Sequence, residues 1–533
     1  MQLQAFVAAV AALSFVLPAA AAAPVAPDVL VVCPAEFRAA LAPWANYRRS
    51  QGHELLVIDP PASASELQAV VRRVAKSGRL EYLVLVGDVP DPNDKRGRPN
   101  PHEPFPGHSP RDSGKLVPTG YVRARVNTRW GSEPWIASDQ LLADTNGDGA
   151  PDLAVGRIPA DSADELAAVV RKVLRYEQIA AYGLWQRRLH VVAGQGGFGR
   201  VADALVEAAG RQVLAQTVPA GYAIGQTWTN PASPHCPPPG ELCPLVRRQL
   251  GEGCLAWVYL GHGWHTELDR VATPAGERPL LCCGDVPHLE CGAESPLAVF
   301  VACYTGAVDA PQDCLGEELL LAERGPVAVI AATRVTMPYG NAVLGCELLR
   351  TCFRGEAATI GQMLRTAQVR TLADVSGDPL RASLDALARG LSPQPVELEI
   401  ERREHVLMYQ LLGDPLLRVR RPRDLPLKTS AQVAVGDILT IAGRSDVPGE
   451  CLVELMPSRE RQADERPLAS VTRRVEAGPF QVMLAVPEEA VGACTVRAFV
   501  AGQRDAALGA TPVVVTRREA ESVARGNAEL QRQ

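Results

Sequence analysis

Leu255-Ala-Trp-Val-Tyr-Leu-Gly-His-Gly263 and Leu297-Ala-Val-Phe-Val-Ala-Cys-Tyr-Thr-Gly306 decide how this chain reads. Each apolar run is short, partly β-branched or aromatic, and closed by glycine, the pattern of a parallel strand buried on both faces. In open α/β sheets, ligands sit outside the carboxyl ends of such strands. Neighbouring strands that end on His262 and Cys303 would bring an imidazole to a thiol, the simplest pair for attacking a carbonyl carbon. Glycines beside His262 leave room for a substrate backbone and free amides to donate to an oxyanion. The plain alternative is a buried cysteine at a strand end. His265 competes with His262 but lies beyond the Gly263 turn, as a loop residue would.

Working outward, strand and helix patterns alternate. Asp28 to Cys33, Glu54 to Ile58 and Tyr82 to Val86 read as strands, with helical spacing over 37–52 and 65–77. The pattern continues through Asp152 to Arg157, a capped helix over 161–177, and strands at Leu189 to Ala193 and Val327 to Ala331. This alternation predicts a doubly wound α/β unit with parallel sheets, in two subdomains at 28–185 and 186–420. Residues 89–135, rich in Pro, Gly, Asp and Asn, read as a long loop. Beyond Asp424 short alternating segments separated by turn signals predict an immunoglobulin-like β-sandwich over 425–516, followed by a polar tail at 517–533.

The 533 residues carry a formal net charge of −6, which gives no reason to expect nucleic acid or an anionic membrane as a partner. Ala5 to Leu17 is apolar and leads through Pro18 to an alanine run ending at Ala23, the layout of a signal peptide over 1–23. No later apolar run reaches the ~18 residues of a membrane span, so no integral membrane segment is expected after cleavage. The 13 cysteines suit an oxidising compartment, and the odd number leaves a thiol over if the rest are bridged. Cys236 with Cys243, and Cys451 with Cys494, are candidate staples. Cys282, Cys283 and Cys291 suggest disulfides or buried thiols before a metal, because no repeated CxxC accompanies them.

Gly194-Gln-Gly-Gly-Phe-Gly199 matches GxGxxG, but the acidic residue that a dinucleotide site wants ~20 positions on is missing. Asp144-Thr-Asn-Gly-Asp-Gly-Ala-Pro-Asp152 offers Asp144, Asn146, Asp148 and Asp152 at the first, third, fifth and ninth positions of a calcium loop. Its twelfth position is Val155 rather than a glutamate, so an Asx-rich turn is the competing reading.

Taken in order, several stretches resemble the gingipain family of cysteine peptidases in the caspase-like clan. They are Trp44 to Gly52, Tyr82 to Asp88, Asp148 to Arg157, Tyr259 to Gly263, Val301 to Gly306, Cys314 to Leu319, Gly325 to Thr333 and Gly413 to Arg418. The resemblance implies a caspase-like catalytic unit, with Cys303 as nucleophile, His262 as catalytic histidine and the amides of Gly263 and Cys303 as oxyanion hole. It implies peptide-bond cleavage through a thioester, on protein or peptide substrates, with no catalytic cofactor. A glutamate assists the histidine in that family; the matching position here is Gln195. Asp203 is the nearest candidate for the acidic residue that reads a basic P1 side chain.

The expectation is thus an exported, gingipain-like cysteine endopeptidase, secreted, periplasmic or at the cell surface, with calcium as the one candidate structural ion. The alternative is a catalytically silent surface or binding protein that keeps the fold.

Overall fold

The computed structural model describes residues 25–90, 115–178, 182–196, 200–355, 357–374, 377–391, 397–459, 465–503 and 505–517. The expected signal peptide and polar tail, apart from Arg517, lie outside them.

One ten-stranded sheet runs through both expected α/β subdomains. Its strands are β1 (Val29–Val32), β2 (Leu55–Ile58), β3 (Tyr82–Val86), β4 (Ala154–Ile158), β5 (Arg188–Ala193), β6 (Ala223–Trp228), β7 (Ala256–Leu260), β8 (Leu297–Val301), β9 (Ala328–Ala332) and β10 (Tyr409–Leu412). The spatial order is β2-β1-β3-β4-β10-β9-β8-β7-β5-β6. Every pairing is parallel except β9 with β10. The expected parallel sheet is therefore interrupted once: β10 runs with β4 and against β9, so β1–β4 and β5–β9 point in opposite directions. β3, β8 and β9 are buried along their whole length, which is why they read as continuous apolar runs.

Several resemblance stretches meet in the fold although they are far apart in sequence. Helix Arg38–Ser50 presents Trp44, whose Nε1 donates to Asp414 at 2.6 Å, and Arg48, which bonds both Asp414 and Glu177. Asp414 follows β10, so this buried cluster ties the first helix to the strand at which the sheet reverses. Burial lowers the proton affinity of the Arg48 guanidinium, but the two carboxylates outweigh it and hold the group charged.

The segment expected to be a loop over 89–135 contains part of a hairpin, Gly120–Arg123 with Trp135–Ser138. Thr333, just past β9, donates to Ala137 O at 2.9 Å, so the hairpin packs beside the carboxyl end of that strand.

From Arg423 the chain forms two further sheets, one of six strands and one of three. Leu439, Ile441, Val453, Leu455, Val482, Leu484, Val496 and Val513 fill the space between them, the alternate-residue core of a β-sandwich. Phe499 and Leu508 instead join the α/β core. Glu454 accepts from Arg187 at 2.6 Å across the same junction and from Arg497, its neighbour in the sandwich, at 2.7 Å.

None of the 13 cysteines is joined in a disulfide. The expected staple between Cys451 and Cys494 fails on register: Cys451 lies opposite Val500, and Cys494 opposite Pro457. Six residues of strand, about 20 Å, separate them along the sheet, far beyond the ~7 Å between Cα atoms that a disulfide spans. Cys236 and Cys243 turn to different carbonyls, those of Pro237 and Pro279. Cys282 faces Asp285 while Cys291 faces Leu250 O, so that trio is not gathered as a metal site.

Candidate active site

β7 and β8 are adjacent and parallel, with Val301 opposite Leu260. Gly261 N still bonds Val301 O at 3.3 Å, so the ladder continues past the strand ends. His262 and Cys303 each stand two positions past that last pair. A Cβ on Gly263 would lie 2.6 Å from Cys303 O and 3.0 Å from Ala302 Cβ, so glycine there lets the two loops touch. Cys303 is half-buried, and His262 is exposed.

The thiol is backed by the turn that follows β9. Thr336 N donates to Cys303 Sγ at 3.2 Å, with Thr336 Oγ1 at 3.5 Å. Asn341 Nδ2 holds Thr336 Oγ1 at 2.8 Å, and Tyr409 OH holds Asn341 Oδ1 at 2.7 Å. Next door, Met337 N donates to His405 Nε2 at 2.9 Å, while His405 Nδ1 donates to Glu401 O at 2.7 Å. Burial lowers the His405 pKa to about 4, so this imidazole is a neutral strut.

Tyr304, directly after Cys303, has φ +58°, a left-handed conformation that is costly for an aromatic residue. The surroundings hold it there. Its phenol donates to Glu133 at 2.9 Å, its ring stacks on His265 with centroids 4.6 Å apart, and its amide bonds Arg334 O. Arg334 is clamped in turn by Asp309 at 2.8 and 2.6 Å. His265 is thus half-buried against Tyr304. Among the described residues, neither the Gly263 nor the Cys303 amide has a hydrogen-bond acceptor in the chain.

A buried carboxylate that the sequence reading passed over lies under His262. Asp269 Oδ2 accepts from His262 N at 3.1 Å, Gln195 N at 3.2 Å and Tyr259 OH at 2.7 Å. Burial and this carboxylate push the Tyr259 phenol well above its usual range. Gln195 therefore sits next to His262 through its backbone, with its side chain exposed. Asp203 falls in helix Arg200–Thr217, and its side chain lies outside the described residues. The glycine fingerprint, of which residues 197–199 are also outside, has a local reason at its first position. A Cβ on Gly194 would stand 1.8 Å from Asp269 Oδ2, so that glycine makes room for a carboxylate, which would repel a phosphate.

The 144–152 loop lies on the other side of the sheet's reversal, and its acceptors serve its own chain. Asp144 takes the amides of Gly147 and Gly149, and Asp152 takes those of Thr145 and Asn146. Asn146 Nδ2, a donor, bridges Asp148 and Asp152 at 3.1 and 3.2 Å. That is the hydrogen bonding of an Asx-rich turn. Among the described residues the acids that do converge are Asp88, Asp313 and Glu317, with oxygens within 4.8 Å of one another. No helix among the described residues is long and apolar enough to cross a membrane.

The model of peptidase family C25 matches residues 22–420. The Arg-specific cysteine proteinase gingipain R (RgpB) superposes with a TM-score of 0.54 at 16% identity, over 92% of this chain and 98% of that one. The complex of pro- and mature domains of Porphyromonas gingivalis RgpB gives 0.53 at 17%, over 91% and 99%. A further protease structure gives 0.53 at 14%, over 91% and 97%. At such identities the likeness speaks for the fold. No curated protein matches the chain. The family model spans both strand ends and the Asp414 cluster, and on that match the chain belongs to peptidase family C25, the gingipain family of cysteine-type peptidases.

Proposed function

We propose that this peptidase is an exported endopeptidase that cleaves peptide bonds with Cys303 as nucleophile and His262 as its acid–base partner. The observation that supports the reading is the register of β7 and β8, adjacent strands whose last paired residues, Leu260 and Val301, are followed two positions on by His262 and Cys303. His262 takes the thiol proton as Sγ attacks the scissile carbonyl. The tetrahedral oxyanion meets the unoccupied amides of Gly263 and Cys303. Collapse breaks the C–N bond, and His262 returns the proton to the leaving amine. Water then hydrolyses the thioester, releasing the acid and restoring the thiol. The amide of Thr336, aimed at the sulfur, is the kind of donor that solvates a thiolate. Export rests on the apolar Ala5 to Leu17 segment with its alanine-rich end.

A thiol-reactive peptidyl probe tests the dyad. Labelling of wild type that disappears in Cys303→Ala and falls at least ~100-fold in rate in His262→Ala is the expected result. Labelling retained in Cys303→Ala removes that residue as nucleophile. A wild type that stays unlabelled while folded favours the silent binding protein, the reading suggested by an amide at Gln195 where the family carries a carboxylate. A basic P1 preference rests on Asp203 alone. It is dropped if a fluorogenic P1 panel is flat or if Asp203→Ala leaves a basic preference intact.

A further inference from the structure

We infer that Asp269 is the positioning residue of this site, holding the His262 backbone so that the imidazole meets Cys303. The inference rests on the dyad proposed above. Three groups from two neighbouring strands converge on one buried oxygen: His262 N after β7, Gln195 N after β5, and the phenol of Tyr259 within β7 all bond Asp269 Oδ2. The single phenol hydrogen of Tyr259 is shared between Asp269 Oδ2 and His262 O, 2.7 and 2.8 Å away, so both backbone polar groups of the histidine border this pair. Asp269 N in turn approaches Tyr259 OH at 3.3 Å. The ring of His262 lies outside the grip, exposed and 6.4 Å from Trp264.

Sterics point to the same carboxylate. A Cβ on Gly194 would meet Asp269 Oδ2 at 1.8 Å, and one on Gly261 would meet it at 2.6 Å. Two strand-end glycines thus leave the space that the carboxylate fills. Asp269 is 5% exposed, too buried to reach a substrate itself. Removing it leaves the amides of His262 and Gln195 without their acceptor in a buried place and the phenol to His262 O alone, and the loops must then move to find water. A histidine shifted by ~1 Å loses about 100-fold in rate.

The experiment compares Asp269→Ala, Asp269→Asn and Gly194→Ala with His262→Ala, on purified mature protein. The readouts are kcat, KM and the pH dependence of Cys303 alkylation by iodoacetamide, followed by mass spectrometry at that site with Cys303→Ala as background. Asp269→Ala is expected to lower kcat about 10- to 100-fold with little change in KM, and to move the alkylation pH profile toward that of His262→Ala. Asp269→Asn keeps one oxygen for the three donors and recovers most of the loss. Gly194→Ala, which displaces the carboxylate without removing it, gives the Asp269→Ala profile. That variant carries the test if Asp269→Ala fails to fold. Alkylation profiles for Asp269→Ala and Gly194→Ala that match wild type, while His262→Ala differs, overturn the inference and leave the dyad standing. If His262→Ala itself matches wild type, the dyad is what fails.

Discussion

Two strands in opposite halves of the sheet end alike: β3 closes on Gly87-Asp88 and β7 on Gly261-His262. Their fates differ in which part of the ionisable residue is tied down. At β3 the chain folds back over the end. Gly87 has φ +129°, and a Cβ there would stand 2.3 Å from Lys115 O. Asp88 is 1% exposed, its Oδ1 taking the next amide at 2.6 Å. Beside it Arg157, wholly buried in β4, forks onto Asp139 at 2.8 and 2.7 Å and caps the carbonyls of Gly87 and Val117. At β7 it is the backbone of His262 that is held, by Asp269 and Tyr259, and the ring is left to solvent. A strand end offers a side chain for chemistry only when its main chain is fixed and that side chain is not already spent. One end is a sealed ionic plug, and the other leaves its imidazole open to solvent.

The largest expected effect breaks the plug. Asp139→Ala strands the Arg157 guanidinium in the interior and should cost about 3–5 kcal/mol, read from the urea midpoint. The pair Arg157→Met with Asp139→Leu, which removes both charges and keeps volume, should recover most of it. At the other end, His262→Ala should change stability by no more than ~0.5 kcal/mol, as exposed positions do. Equal costs at the two ends would abolish the distinction drawn between them.

A smaller effect sharpens it with pH. His405 props the turn behind Cys303 and has a pKa lowered by burial from 6.5 to about 4. Between those values the unfolded chain binds a proton that the folded chain refuses, so stability falls as pH falls. The penalty is absent above pH ~6.5, grows progressively on acidification, and reaches about 3 kcal/mol near pH 4. Glu401, on the same helix, works in the other direction, because burial raises its pKa and the folded chain then holds the extra proton. Tyr409, stacked on the imidazole at 6.3 Å, stays neutral throughout. His405→Gln isolates the histidine: its urea midpoint should fall less between pH 7 and 4.5 than that of wild type. Parallel slopes would mean that the imidazole is not excluded from protonation.

The sequence revealed the site's ends and hid its supports, for a physical reason. β7, β8 and β9 are buried on both faces, so their apolar runs and closing glycines are local signals. Asp269 sits in Thr266-Glu-Leu-Asp-Arg270, which reads as polar loop, and its meaning lies partly in the Gln195 amide, 74 residues away. Two glycines marked the space it occupies, yet a glycine does not name what fills its space. The Trp44–Arg48–Asp414 cluster closes over separations of 366 and 370 residues. Strand β10 reads as one more apolar run, and nothing local tells that it reverses the sheet. The same non-locality misled the cysteine pairing: Cys451 and Cys494 do lie in neighbouring strands, but register, not spacing, decides who faces whom.

The smallest expected effect concerns the 144–152 loop, which follows the plug's pattern in miniature. Its acids are spent on the chain itself: Asp144 on two glycine amides at 2.6 and 3.0 Å, Asp148 on Ala150 N at 2.8 Å, Asp152 on Thr145 Oγ1 at 2.6 Å as well as on amides. The Asn146 amide nitrogen supplies the positive end between Asp148 and Asp152 that a cation would otherwise supply. The twelfth position, Val155, lies inside β4 and is buried, so no late bidentate carboxylate completes a shell. Calcium held at 100 times its Kd would stabilise the fold by about 2.7 kcal/mol, a Tm rise of several degrees. The spent acids argue for far less, a difference of under ~1 °C between millimolar calcium and excess chelator, because nothing binds the folded state selectively. A rise of several degrees that Asp148→Ala abolishes would show that the loop re-forms around a cation, and that its acids, unlike those at β3, are not sealed.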